Sequence, residues 1–414
     1  MTMIAETAET GRWPALESVP QAPLRSRAAR SLFLRAVRDL PIRVECSDGV
    51  VAGRGGPVLR VVRPEAFFAR LGRDGLIGFG ESYMAGEWEA DDLVRVLTVF
   101  ASRMDSLVPR SVRWLRPVAV PRRGPGEDGT PDNARRNVSS HYDLSNDLFS
   151  LFLDETLSYS SALFPEREGR PLVTDLASAQ HRKIDRLLDL AGVGEGTRLL
   201  EIGTGWGELA IRAARRGADV RTVTLSAEQR SLALERAAKV SGRIRIDLCD
   251  YREIDGEYDA IVSVEMIEAV GHRHWGAYCR TLDRVLAPGG RVALQAITMP
   301  HDRMLASRNS WTWVQKYVFP GGLIPSRPAL EEALATTSLR IRDDLRFGAH
   351  YAETLRIWRQ TFEARGLQVR ELGFDATFRR MWDLYLAYSE AGFRSGYLDV
   401  RQFLLTREET PCSG

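Results

Sequence analysis

The chain has 414 residues, a formal net charge of +2, 44% hydrophobic and 27% charged residues. That length accommodates two or three domains with ordinary cores, and the near-neutral balance argues against a dedicated nucleic-acid binder. No apolar run is long enough to span a bilayer, and the N-terminal MTMIAETAETGRWPALESVP lacks the basic-then-apolar order of a signal peptide, so a cytoplasmic location is expected.

Cys46, Cys249, Cys279 and Cys412 lack the paired spacing of a zinc site or disulfide framework, and the six histidines form no ligand pattern; no metal is expected. Only three of the 57 basic residues, Lys183, Lys239 and Lys316, are lysine. A GC-rich genome accounts for most of that bias, although arginine also suits phosphate surfaces.

In chain order, Arg27 to Leu40 wound as a helix places Arg27, Arg30, Arg35 and Arg38 on one side and Ala29, Phe33, Ala36 and Leu40 on the other. Such a basic amphipathic helix fits a surface helix packed on its own domain or docking on an anionic membrane face. Val44 to Phe68 reads as a small strand-rich unit and Glu81 to Leu115 as helical. PRRGPGEDGTPDN, Pro121 to Asn133, reads as an exposed linker.

After the linker, strands and helices alternate: RLLEIG, GELAIRAARRG, VRTVTL, AEQRSLALERAAKV, IRIDLCD, YDAIVSVE and, introduced by the turn APGG, RVALQAIT. This order predicts an α/β fold with a mostly parallel sheet covered by helices on both faces. Ligands of such sheets bind beyond the carboxyl ends of the strands, where Gly203 to Gly207, Thr224 to Ser226, Asp250 to Arg252 and Glu265 to Glu268 fall. Glu201 stands just ahead of Gly203, Gly205 and Gly207. An acid there repels a phosphate and attracts a cationic amino group.

With an acid before G-x-G-x-G, this arrangement resembles the class I S-adenosylmethionine-dependent methyltransferases, a Rossmann-like fold. The second strand ends in TLS rather than in an acid for the ribose hydroxyls, which leaves Thr224 and Gln229 to serve. HYDLSNDLFSLFLDETLSYSSALF, VSVEMIEAVGHRHW and QKYVFPGGLIPS closely resemble the cyclopropane-fatty-acyl-phospholipid synthase family, including the mycolic acid cyclopropane synthases, over Asp132 to Phe403. GLIGFGESYMAGEW resembles the N-terminal domain of the bacterial phospholipid enzymes. RWPALESVP, LVPRSVRWLRP and LYLAYSEAGFRSGYLDV look most similar to the actinobacterial methyltransferases that start tuberculostearic acid synthesis.

The resemblance implies an accessory, lipid-facing domain at 1–120, a linker at 121–133 and a catalytic domain at 134–414 with an acyl-binding insertion at about 299–395. It implies S-adenosyl-L-methionine contacts at Tyr142, Tyr159, Ser160, Glu201, Gly203, Gly205, Thr224, Leu225, Gln229, Tyr251 and Arg252. It also implies a bound bicarbonate as base, held in the family by a cysteine, a glutamate, a histidine, a tyrosine and a backbone amide. Carried onto this chain, the glutamate is Glu268, the tyrosine Tyr351 and the amide that of Ile297, whereas Ser161 replaces the cysteine and Gln295 the histidine. Both replacements still hydrogen-bond an anion, but neither takes up a proton near pH 7 as histidine does.

The expected reaction is methyl transfer to the double bond of an unsaturated phospholipid acyl chain. A 10-methylene chain is the expected product, for a downstream reductase to saturate, and cyclopropane the alternative. Peripheral association with the inner membrane face is expected, and a homodimer is compatible with the sequence. A small-molecule methyltransferase shares the cofactor half, and a decayed lipid-binding protein is suggested by the two departures at Ser161 and Gln295.

Overall fold

The computed structural model describes residues 12–103, 145–308 and 310–408. Tyr142, the linker and Cys412 therefore lie outside the described residues. The chain divides into two compact units, each discontinuous in sequence.

The first unit comprises residues 1–123, 309–318 and 355–397. Helix Pro23–Val37 precedes a four-stranded sheet of order β2-β1-β3-β4, with β1 Arg43–Cys46, β2 Val51–Ala52, β3 Val58–Val61 and β4 Trp88–Ala90. Two expectations need correction. Phe67 and Phe68 belong to helix Pro64–Asp74, where Pro64 sits in the first turn and presets φ for helix. The stretch from Glu81 is not one helix, because β4 separates helix Leu76–Met84 from helix Leu93–Ser102.

Val37, Val44, Leu59, Phe67, Trp88 and Val96 are wholly buried. Within this core Arg70 donates to Glu87 at 2.9 Å and to the carbonyls of Ala15 and Leu16. The later segments of the unit pack on the same elements. Tyr83 donates to Asp383 at 2.7 Å, Arg380 lies 4.3 Å over the Tyr83 ring, and Tyr317 donates to Glu81 at 2.8 Å. Gly80 is required by one of these approaches, since a Cβ there would stand 2.4 Å from the Trp313 ring. Residues expected as part of a catalytic-domain insertion thus cluster with the N-terminal segment. Their aromatic periodicity shows that they bury a face, not against what.

The second unit contains a small hairpin, β5 Glu166–Arg167 with β6 Arg170–Pro171, and a seven-stranded sheet. The sheet is built from β7 Arg198–Ile202, β8 Asp219–Thr224, β9 Arg243–Leu248, β10 Tyr258–Val264, β11 Leu286–Thr298, β12 Leu339–Arg346 and β13 Asp399–Arg407. Its order is β12-β13-β11-β10-β7-β8-β9. The five strands from β11 to β9 run parallel, whereas β13 and β12 pair antiparallel. The stretch expected as the turn APGG is taken into β11.

Side-chain alternation along the strands makes two cores. Leu199, Ala260, Val262 and Ala293 pack beneath helices Leu176–Ala191 and Glu208–Arg215; Leu200, Ile261, Val292 and Leu294 face helices Trp275–Val285 and Arg327–Leu334. The helices leave the strands through capped starts, as where Ser226 accepts from the Gln229 amide. Strand order reverses between β7 and β10, which opens the crevice at their carboxyl ends.

Candidate active site

At the end of β7, Gly203, Gly205 and Gly207 have φ of +100°, +50° and +90°, a region that L side chains enter only at a cost. Gly203 also touches the Met266 side chain, which a Cβ would meet at 2.6 Å. Around Gly205 there is open space, with no described atom within 4 Å of an added Cβ. Glu201 is buried beneath this turn, and burial raises its carboxyl to about 8 despite Thr222 and Lys183. Its Oε2 has no partner among the described residues.

The neighbouring strand ends add polar groups. Thr224 donates to Gln229 at 3.1 Å, and both are buried beside the half-buried Leu225. After β9, Arg252 donates to Asp250 through Nε at 2.8 Å and Nη2 at 2.7 Å, and the guanidinium lies 5.2 Å over the Tyr251 ring. The buried Tyr251 hydroxyl has no partner among the described residues, and burial raises it to about 12. The open turn, an orphaned carboxylate oxygen and an orphaned phenol fit a ligand with an ammonium group and several hydroxyls.

Tyr159 is half-buried against Phe149, with ring centroids 5.0 Å apart. The next residue, Ser160, accepts from Lys183 Nζ at 2.6 Å. Lys183 is buried, which lowers it to about 8, while Glu265, Asp154 and Glu201 pull the other way. Ser161 donates its backbone amide to Glu265 Oε1 at 3.0 Å; its hydroxyl turns away to the Ala162 carbonyl. Gln295 donates to the same Oε1 at 2.9 Å and is held by Gln402, whose amide donates to Gln295 Oε1 at 2.9 Å. Tyr351 donates to Glu265 Oε2 at 2.7 Å.

Ser161, Gln295 and Tyr351 thus come together as the motifs implied, but around Glu265. Ile297 and Glu268 form a separate pair, with the Ile297 amide donating to Glu268 Oε1 at 2.5 Å. Burial and the Glu265 charge raise Glu268 to about 8, so it is mostly neutral at pH 7. Burial also raises Glu265, against the hydrogen bonds from Ser161, Tyr351 and Gln295 and the Lys183 charge. The sequence reading placed Glu265 at a strand end without a role and missed Lys183 and Gln402. For Lys183 the available signal was its rarity, one of three lysines in an arginine-rich chain.

The mycolic acid cyclopropane synthetase family matches residues 130–403. The tuberculostearic acid methyltransferase UfaA1 of Mycobacterium tuberculosis is 55% identical over 99% of this chain and 100% of its own length. The cyclopropane-fatty-acyl-phospholipid synthase of Escherichia coli is 32% identical over 87% of this chain and 90% of its own. Among solved structures, the mycolic acid cyclopropane synthase CmaA1 in complex with SAH and CTAB matches with a TM-score of 0.60 and 32% identity, covering 66% of this chain and 97% of that one. With its class I sheet order and its glycine turn, the chain belongs to the mycolic acid cyclopropane synthetase family of S-adenosylmethionine-dependent methyltransferases.

Proposed function

We propose that this enzyme C-methylates the double bond of an unsaturated acyl chain in phospholipid and releases a 10-methylene chain, the tuberculostearic acid precursor. The observation that carries this reading is the similarity to the mycobacterial tuberculostearic acid methyltransferase along both whole chains. S-adenosylmethionine, when bound, supplies an electrophilic sulfonium methyl. Gly203 and Gly205 would give its methionine part close backbone approach, buried Glu201 would lie near the ammonium, whose charge favours the ionised carboxylate, and Thr224, Leu225, Gln229, Tyr251 and Arg252 would border the nucleoside.

An isolated alkene is a weak nucleophile, so the site must hold it in line at roughly 3 to 3.5 Å from the methyl carbon. Methyl addition leaves a positive charge in the acyl chain, and water must be kept from it. A hydride from the methylated carbon then moves to the adjacent cationic carbon. Proton loss from the new methyl gives the methylene; proton loss before that shift closes a cyclopropane. Exposed Arg25, Arg27, Arg35 and Arg38, together with exposed Leu24 and Leu32 on helix Pro23–Val37 and its C-terminal flank, support docking on an anionic lipid face. The methylene product would be consumed by a reductase.

Expression in a host that makes oleoyl phospholipids, fed methyl-deuterated methionine, tests the reading. A branched chain with a terminal methylene carrying two deuteriums is expected. Cyclopropane as the main product would overturn the product assignment, and unmodified lipid from folded, cofactor-binding enzyme would overturn the substrate assignment.

A further inference from the structure

The position that the motifs reserve for a free anion already holds a carboxylate of the chain. Glu265 follows directly on β10, and three donors converge on it: the Ser161 amide and Gln295 Nε2 on Oε1, and the Tyr351 hydroxyl on Oε2. They come from three of the five residues that the resemblance assigns to a bound bicarbonate, Ser161 through its backbone amide and not its hydroxyl. Of the other two, the Ile297 amide is engaged by Glu268, and Glu268 itself brings a second carboxyl beside the first. A free bicarbonate does not fit this arrangement, because its donors are taken and it would add negative charge next to Glu265.

The backbone shows that the placement is imposed. Glu265 has φ +52°, in the left-handed region, and its amide is fixed to the Gln295 carbonyl at 2.7 Å. Among the described residues two other non-glycine positions, Leu157 and Glu168, share this region; such a conformation costs on the order of 1–3 kcal/mol and persists where the surrounding contacts impose it. Its neighbour Met266 packs on Gly203, which places the carboxylate beside the glycine turn at the crevice. An ionised carboxylate has about four acceptor positions. Among the described residues three are filled, and the one left is on Oε2.

We propose that Glu265 is the built-in proton acceptor of this enzyme, standing where relatives of the family pattern would bind a diffusible bicarbonate. The inference rests on the C-methylation reading above. In the final step a C–H bond of the added methyl carbon breaks, and its electron pair forms the second bond of the methylene, discharging the adjacent cationic carbon. The proton forms an O–H bond at Glu265 Oε2. The neutral acid returns that proton to solvent after the product leaves, and no co-reactant is required. Gln295, Tyr351 and Gln402 are positioning residues, which hold the carboxylate directly or through one another.

The test measures methylation of oleoyl phosphatidylglycerol vesicles by the full chain in carbonate-free buffer, with and without millimolar sodium bicarbonate. Wild-type turnover is expected to change less than twofold on adding bicarbonate. Glu265→Gly suits its left-handed φ and vacates the three donors; it is expected to lose on the order of 100-fold in kcat, keep its calorimetric affinity for S-adenosylmethionine, and regain at least about tenfold with bicarbonate. Glu265→Gln, whose amide still fills the position, is expected to be equally impaired and not rescued. A wild type that depends on bicarbonate, a Glu265→Gln variant with wild-type turnover, or a Glu265→Gly variant that bicarbonate does not rescue would each overturn the assignment. Failure of the substrate reading shows separately, as a wild type with no turnover on these vesicles.

Discussion

The hydroxyl of Tyr351 and the carboxylate of Glu265 meet at 2.7 Å, tying the first turn of helix Gly348–Ala364 to the end of β10. Because this bond stabilises the ionised carboxylate, its removal raises Glu265 further above the ordinary range. Tyr351→Phe is expected to lower kcat by about tenfold and to move the acid limb of kcat/KM upward by about one pH unit. The remaining groups around Glu265 are the Ser161 amide, Gln295, Lys183 and Glu268. A pH–rate profile of the variant on vesicles checks this, and an unmoved limb would separate Tyr351 from the titrating group.

Glu268 carries a linked effect on stability. Its pKa in the folded chain, about 8, lies above the ordinary 4.5, so between these values the folded state holds a proton that the unfolded state has released. Stability therefore falls as pH rises through that window. Glu268→Gln removes this contribution, and the variant should gain on the wild type by on the order of 1–3 kcal/mol between pH 5 and pH 8. Thermal melts at both pH values measure the difference; a constant offset would contradict it.

Gly205→Val places a β-branched side chain at φ +50° in the open space above the turn. Loss of S-adenosylmethionine binding by at least about 100-fold is expected, roughly 2.7 kcal/mol, with the fold retained. Calorimetry on a variant shown folded by circular dichroism decides it, and unchanged affinity would remove this turn from the cofactor site.

In the first unit, Arg70 and Glu87 are 2% and 1% exposed and joined at 2.9 Å. Among the described residues, Glu87→Ala leaves the buried guanidinium hydrogen-bonded to the Ala15 and Leu16 carbonyls alone. A loss of about 3–5 kcal/mol is expected. Denaturant unfolding of Glu87→Ala measures it, and a change below about 1 kcal/mol would mean that the pair is hydrated.

Reversing Arg27, Arg35 and Arg38 to Glu should weaken co-sedimentation with phosphatidylglycerol vesicles by roughly tenfold or more, at about 1 kcal/mol per basic residue near the surface. Methylation of a detergent-dispersed substrate should persist. Equal vesicle binding by the triple variant would move the membrane contact to another surface.

Much of the second unit was legible in the sequence, for a local reason. Strand runs, capped helices and the glycine turn are encoded within a few residues of each other, and alternation along a buried strand fixes which side chains face each core. The motifs also named Ser161, Gln295 and Tyr351 as neighbours. The sequence left the occupant of their cradle undetermined. That depends on the β10–β11 register, which sets Val264 beside Gln295, on the β11–β13 register, which sets Gln295 beside Gln402, and on the left-handed turn that swings Glu265 between them. Pairings between residues so distant in sequence, like the clustering of 355–397 with the N-terminal segment, are selected by the packing of the whole unit. Local pattern states which faces must be buried; only tertiary structure decides what buries them, and here that decision set the Glu265 carboxylate among Ser161, Gln295 and Tyr351.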